Sequence, residues 1–392
     1  MTGRTAARAW DVWAAAWPIT VVFMLSNIPT PLLGVWQERI GFSTGMTTVV
    51  FAAYIAGLLI ALPFAGVLAD RFGRRKVLAP ALAAAFAACL LFMTAGDVVG
   101  LLVARVLTGL AVGAAVSAGT AAVVDVAGPD RRGTAALAGS AAIGLGLAAG
   151  PLLGGTVSEY WAAPTVTVFA VEMVLILSAL AVVFTVLPPA EGHPGRRGWV
   201  RVPSVPRANR RSLTTSLMAY MPGMTGTSLL LALGPALLGT LLHTGNRLVT
   251  GGIGFLMFGT STCVQFAVRA LPTRRVLATA GLLTAAGMLG VVAAVGTQSL
   301  MLLAAAAALA GAGQGMGQFG GFSLLNSYVA KHRLAEANAA LSAGGYAFAG
   351  VLPIATGYLS DAAGITTSAT VFATVTAAAA LTGALMIRRS RA

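Results

Sequence analysis

Gly66-Val-Leu-Ala-Asp-Arg-Phe-Gly-Arg-Arg-Lys-Val-Leu78 decides how this chain folds. One apolar run, over 46–69, enters it and a second, over 77–95, leaves it. Each is about long enough to cross a bilayer as a helix. Between them stand one acid, Asp70, and four bases, Arg71, Arg74, Arg75 and Lys76. The stretch therefore reads as a tight hairpin between two membrane spans. Short cytoplasmic loops collect Lys and Arg, so its charge puts the hairpin on the cytoplasmic face.

The rest of the chain agrees. Of 392 residues, 57% are hydrophobic and 9% charged. A water-facing domain carries about 25% charged residues. An integral membrane protein is implied, built of helices because runs of about twenty apolar residues keep recurring. The net charge of +14 would suggest nucleic acid in a soluble protein. Here the bases fall between spans, so membrane topology accounts for them and no nucleic-acid partner is expected. Cys89 and Cys263 both lie in apolar runs, which indicates neither a disulfide framework nor a metal site. His193, His243 and His332 fall in loops without ligand spacing. Met1 to Arg8 is short, basic and followed by a full-length span, so it reads as a cytoplasmic start and not as a cleaved signal.

Twelve spans are predicted, at about 12–36, 46–69, 77–95, 98–124, 134–158, 164–187, 213–241, 248–269, 275–296, 300–327, 335–359 and 366–387. Of the 25 bases, 22 fall on the hairpin's side of this arrangement. Only Arg39 and Arg247 occupy opposite loops, and Arg105 lies within a span. Both termini are then cytoplasmic. The stretch 188–212 is rich in Pro, Gly and Arg and reads as a cytoplasmic linker between two six-span halves, 1–187 and 213–392. An internal echo supports that division. Gly66-x-Leu-x-Asp70 ends span 2, Gly155-x-Val-x-Glu159 ends span 5, and Gly357-x-Leu-x-Asp361-x-x-Gly364 ends span 11. Spans 2 and 11 leave opposite faces, so one pattern recurs upside down, as in the inverted repeats of secondary transporters. After span 8 only the bases Arg269, Arg274 and Arg275 survive.

The hairpin pattern G-x-L-x-D-R-x-G-R-R-K-x-L resembles the loop 2–3 signature of the major facilitator superfamily. That resemblance implies an all-α membrane fold of two pseudo-symmetric six-helix bundles. It also implies that Gly66, Asp70, Arg71, Gly73, Arg74 and Asp125 form a latch holding the halves together on the inside. Asp70 sits at a partly negative helix end and needs compensation from Arg74 or from the N-terminus of span 11. The blander alternative, charges that only set topology, explains the bases but not the acid or the glycines. In span 5, Gly146, Gly150, Pro151, Gly154 and Gly155 resemble the signature of proton-coupled drug antiporters in that superfamily. Read on its own, the stripe is a surface for close helix approach, with Pro151 permitting a bend.

Leu101-x-x-x-Arg105-x-x-Thr108-Gly109 resembles the family's span 4 signature, with Thr108 where Gln is usual. Arg105 lies seven residues inside span 4, roughly 10 Å deep at 1.5 Å per residue. A charge at that depth needs a partner or a task. Glu172, at similar depth in span 6, is the one carboxyl well within a span. The two are expected to be linked, directly or through water, with Glu172 carrying a coupled proton and Arg105 tuning it. The alternative is that Glu172 snorkels to the outer headgroups. Span 1 offers Asn27 where drug antiporters often place an acid.

Helices 1, 4, 7 and 10 should line a central cavity. Asn27, Tyr220, Met224, Gln314, Gln318, Phe319 and Asn326 are its candidate residues, with Gln265 from span 8 and Tyr346 from span 11. Aromatic, Met and amide groups suit a flexible, mostly apolar organic ligand, neutral or zwitterionic rather than strongly cationic; taken singly, such residues serve more often as packing than as contacts. The chain's two lysines follow Arg75 and Ala330, so no G-K-[ST] phosphate loop exists. No cofactor and no catalytic constellation is indicated. The expected function is proton-coupled efflux of a small amphipathic molecule by a monomer in a bacterial inner membrane, with protons, the substrate and the lipid bilayer as partners. The alternatives are a sugar or metabolite facilitator and a membrane scaffold or sensor that transports nothing.

Overall fold

A computed structural model describes residues 9–189, 203–241, 245–330 and 333–389. The three histidines, Arg4, Arg8, Arg196, Arg197, Arg201, Lys331 and Arg391 lie outside the described residues. Within them the protein is helical throughout, as a chain in hydrocarbon must be when each backbone N–H and C=O needs an internal partner.

Twelve helical spans are long and apolar enough to cross a membrane: Trp10–Ile40, Thr44–Phe72, Arg74–Thr94, Val98–Ala127, Pro129–Tyr160, Pro164–Thr185, Arg207–Gly239, Arg247–Ala267, Thr273–Thr297, Leu300–Tyr328, Leu334–Ala363 and Ile365–Arg389. They are called spans 1 to 12. Spans 2 and 3 meet at the 66–78 hairpin, which marks the hairpin face; the other end is the far face. The far-face starts of spans 2, 4, 8 and 10 are capped by Ser43, Asp97, Asn246 and Ser299, whose side chains accept from Met46, Gly100, Val249 and Leu302 backbone N–H. Each cap satisfies an N–H that the helix itself leaves unpaired.

Two spans depart from the single helices expected. Span 1 runs as Ala9–Asn27, breaks into a 3₁₀ turn at Thr30–Leu32, and resumes as Leu33–Ile40. Pro29 and Pro31 force this, because neither can donate to the preceding turn. Span 4 carries a π-helical turn over Ala115–Gly119 that rephases its last segment, Thr120–Ala127. Span 5, by contrast, stays helical through Pro151, from Arg132 to Tyr160.

The buried side chains form one large core within spans 1–6 and another mainly within spans 7–12. Phe51, Ile55 and Ala148 of the first half reach into the second core, and Tyr346 of the second half packs against both. Where spans 2 and 11 end, the repeat seen in sequence becomes a repeat of backbone shape. Gly73 lies at φ 96°, ψ 151°, and Gly364 at φ 84°, ψ 155°. Only glycine enters this region without strain.

Candidate functional site

Span 5 presents two different small-residue faces. On one, a Cβ at Gly146, Gly150 or Gly154 would strike the backbone carbonyls of Thr20, Met24 and Ile28 in turn. This face fixes span 5 to span 1 inside the first half. On the other, Gly155 approaches Gly251 of span 8, and the Pro151 ring lies against Gly254. A Cβ on Gly155 would come within 3.1 Å of the Gly251 Cα. This seam joins the two halves backbone to backbone, and it continues to Gly144 opposite Thr262. The expected stripe thus divides into a seam within one half and a seam between halves.

At the far face the halves are tied by backbone caps. The Asp361 carboxylate at the end of span 11 accepts from Thr44 N–H at 3.0 Å and Gly45 N–H at 2.9 Å. With Ser43 on Met46, the first three amides of span 2 are all satisfied, two of them from the other half. Across the seam, Glu159 accepts from Arg247 N–H at 2.8 Å, and the Arg247 guanidinium donates to the Ser158 carbonyl at 2.7 Å. Both acids meet helix N-termini, where partial positive charge favours them.

At the hairpin face, Arg74 Nη1 donates to Asp70 Oδ1 at 2.6 Å, and Arg74 Nε to Asp125 Oδ2 at 3.1 Å. Gly73 provides the turn that folds Arg74 back over Asp70. Arg71 stacks near the Phe72 ring, 5.8 Å from its centroid, and Gly66 lies partly buried one turn before Asp70.

Arg105 and Glu172 are both fully buried, but they make no hydrogen bond with each other. Arg105 Nη1 donates to the Ser26 carbonyl at 2.8 Å, while both Glu172 oxygens stand without a partner. The expectation of a direct pair is corrected for a topological reason. Equal depth does not make neighbours: span 4 packs on spans 2, 3 and 1, span 6 on spans 3, 1 and 5, and the two have spans 1 and 3 between them. Snorkelling is likewise corrected, because Glu172 is sealed inside the first half beside Cys89 and one turn from Phe169, whose ring stacks on Phe92 at 4.7 Å. Arg105 instead looks toward span 2. Gly57 meets the Val106 carbonyl and Gly109 the Tyr54 carbonyl, so the two backbones touch. The guanidinium carbon then lies 5.8 Å from the ring centroids of both Phe51 and Tyr54.

Some of the cavity candidates converge. Ser261 donates to Gln314 Oε1 at 2.5 Å, and Gln314 Nε2 donates to Gln318 Oε1 at 3.2 Å and contacts Met224 Sδ at 3.7 Å. Tyr220 is buried with its ring against Gly345, next to Tyr346. Asn27 is buried and donates to Ser26 Oγ, beside the carbonyl that Arg105 holds. Gln265 is half-buried on span 8. Two residues leave the group. Phe319 packs into an apolar cluster with Val268, Val276, Ala280 and Met316, because it faces spans 8 and 9. Asn326 is exposed, about three turns along span 10 from Gln314.

A family model described as Major Facilitator Superfamily matches residues 19–271, more than half of the chain. The chain belongs to the major facilitator superfamily. No curated protein matches it in sequence. Among solved structures, a bacterial homologue of the human lysosomal transporter Spinster, inward-facing and occupied, aligns with TM-score 0.80 at 14% identity, covering 99% of this chain and 98% of that one. A D-xylose–proton symporter aligns with TM-score 0.77 at 14% identity, covering 98% of each chain. The human organic anion transporter MFSD10 aligns with TM-score 0.68 at 18% identity, covering 97% and 99%. At these identities the likeness is one of fold, and it agrees with twelve spans in two pseudo-symmetric bundles.

This facilitator therefore moves small molecules across a membrane as a multi-pass protein. Sequence reading missed Tyr54, Phe51 and Ser261, which carry no motif, and passed over the contact role of Glu159, Asp361 and Arg247. For the acids a signal existed: each ends its span where Asp70 ends span 2.

Proposed function

We propose that this facilitator exports a small amphipathic organic molecule in exchange for protons, by alternating access between bundles 1–187 and 213–392 joined by the 188–212 linker. The observation that carries the reading is the Pro151–Gly155 seam against Gly251 and Gly254 of span 8, the span whose Ser261 bonds Gln314 in a polar group with Gln318 and Met224. Small residues at this seam let the two bundles meet backbone to backbone. The excess of bases on the hairpin face makes that face cytoplasmic, with both termini inside. The Ala, Gly and Arg bias suits a bacterial cytoplasmic membrane. The Asp361 and Glu159 caps cross between the halves and are then the outer latch, which opening to the far face breaks. The Asp70–Arg74–Asp125 bonds join spans 2, 3 and 4 of the first half and brace the hairpin.

Glu172 is the candidate proton carrier, since a buried intramembrane carboxyl without a partner calls for a functional account. Transport by purified protein in vesicles with an imposed pH gradient tests the whole reading. Acceleration by the gradient supports exchange, gradient-independent flux supports a metabolite facilitator, and no flux for any compound supports a scaffold. In the same assay Glu172→Gln is expected to lower gradient-driven flux at least tenfold; unchanged coupling removes Glu172 from the mechanism.

A further inference from the structure

The Arg105 guanidinium is buried, and two of its nitrogens, Nε and Nη2, have no hydrogen-bond partner. Its one hydrogen bond is from Nη1 to the Ser26 carbonyl, a neutral acceptor. Span 1 brings Ser26 and Asn27 to this point, neither of which carries charge. Glu172 forms no ion pair with it. A guanidinium sealed in a membrane bundle with no counter-ion is costly. The unfilled donors are the pair that bind a carboxylate side-on, through two parallel N–H···O bonds. Their surroundings face the join between the halves. Phe51 and Tyr54 flank the guanidinium at 5.8 Å, and Phe51 belongs to the core of the second half. Tyr54 is only half-buried and lies within electrostatic reach of Tyr346, which packs against both halves. A charged group thus stands behind a partly open aromatic wall.

We propose that Arg105 is the anion-binding group of the substrate site. The molecule exported then carries a carboxylate, or an equivalent planar oxyanion, on an aromatic or apolar body. This deepens the export reading and rests on it. The substrate supplies the counter-ion that the fold omits, and its body lies over Phe51 and Tyr54. Arg105 need not touch Glu172 for this, which accords with their separation.

The test uses purified full-length protein in nanodiscs, with 1-naphthoate, 4-phenylbutyrate and decanoate as probes and their neutral amides as controls. At least one acid is expected to bind tenfold or more tightly than its amide. Arg105→Met should abolish that preference, and Arg105→Lys, which keeps the charge but loses the fork, should reduce it. Without ligand, Arg105→Met should melt at or above the parent temperature, because an uncompensated charge has been removed. A merely structural arginine would give a lower melting temperature. Equal binding of acids and amides, no binding of any acid, an unchanged preference in both variants, or a destabilised Arg105→Met would each overturn the assignment. Flux in vesicles separates this outcome from failure of the export reading. Amides pumped as well as acids by a pH gradient would leave export standing and remove the anion site. Acids bound through Arg105 but never moved by the gradient would do the reverse.

Discussion

The turn after span 2 and the turn after span 11 are one structure used on opposite faces. Each ends a helix with Asp, then places glycine three residues on at nearly the same backbone angles. Their surroundings differ. Asp70 is followed by four bases and pairs with the Arg74 side chain. Asp361 is followed by Ala, Ala and Gly, and pairs with two backbone amides of the other half. The bases are therefore not needed for the turn. On the proposed topology they serve orientation, since short cytoplasmic loops collect bases. The acid and the glycine are what the two turns share.

Removing the acids separates the turns most sharply. Asp361→Ala deletes two charge-assisted caps on span 2 and should cost about 1–2 kcal/mol of far-face closure, a roughly five- to thirtyfold shift in the equilibrium. Spin labels at the far-face ends of spans 2 and 11 should report longer distances. Asp70→Ala removes a contact made within the first half and should leave those far-face distances unchanged. Identical shifts in both variants would break the inverted relation between the turns.

The glycines come next. Alanine at φ near +90° with ψ near 150° is strained by about 1–3 kcal/mol. Nothing stands within 4 Å of a Cβ built on Gly364, so strain is the whole effect there. Gly364→Ala and Gly73→Ala should lower stability by similar amounts in thermal unfolding. A much larger loss at Gly73 would mean that the hairpin turn is held by more than its backbone.

Much of the fold was legible because hydrophobic run length and the placement of bases are one-dimensional signals. Gly66 to Leu78 sufficed to place a tight hairpin between two spans, and the Gly146–Gly155 stripe announced close packing. Partner choice was not legible. Gly150 and Gly155 look alike in sequence, yet one meets Met24 and the other Gly251. Arg105 and Glu172 share a depth but sit on helices that do not pack together, which depth along the chain cannot reveal. The breaks at Pro29–Pro31 and Ala115–Gly119 show the same divide. The prolines are visible in sequence, whereas the π turn depends on how span 4 fits its neighbours.

The smallest effect concerns the bases themselves. Arg74 bridges Asp70 and Asp125, but the three side chains are 24%, 29% and 50% exposed. Ion pairs this open to solvent contribute about 0–1 kcal/mol and weaken with salt. Arg74→Gln should therefore lower thermal stability by about 1 kcal/mol at most, and raising salt from about 0.1 M to 1 M should erase most of the difference. The far-face contact made by Asp361 is with backbone amides, one of them part-buried, and should respond less to the same salt. Equal salt sensitivity at both faces would show that side-chain charge, and not the helix end, is what Asp361 answers to.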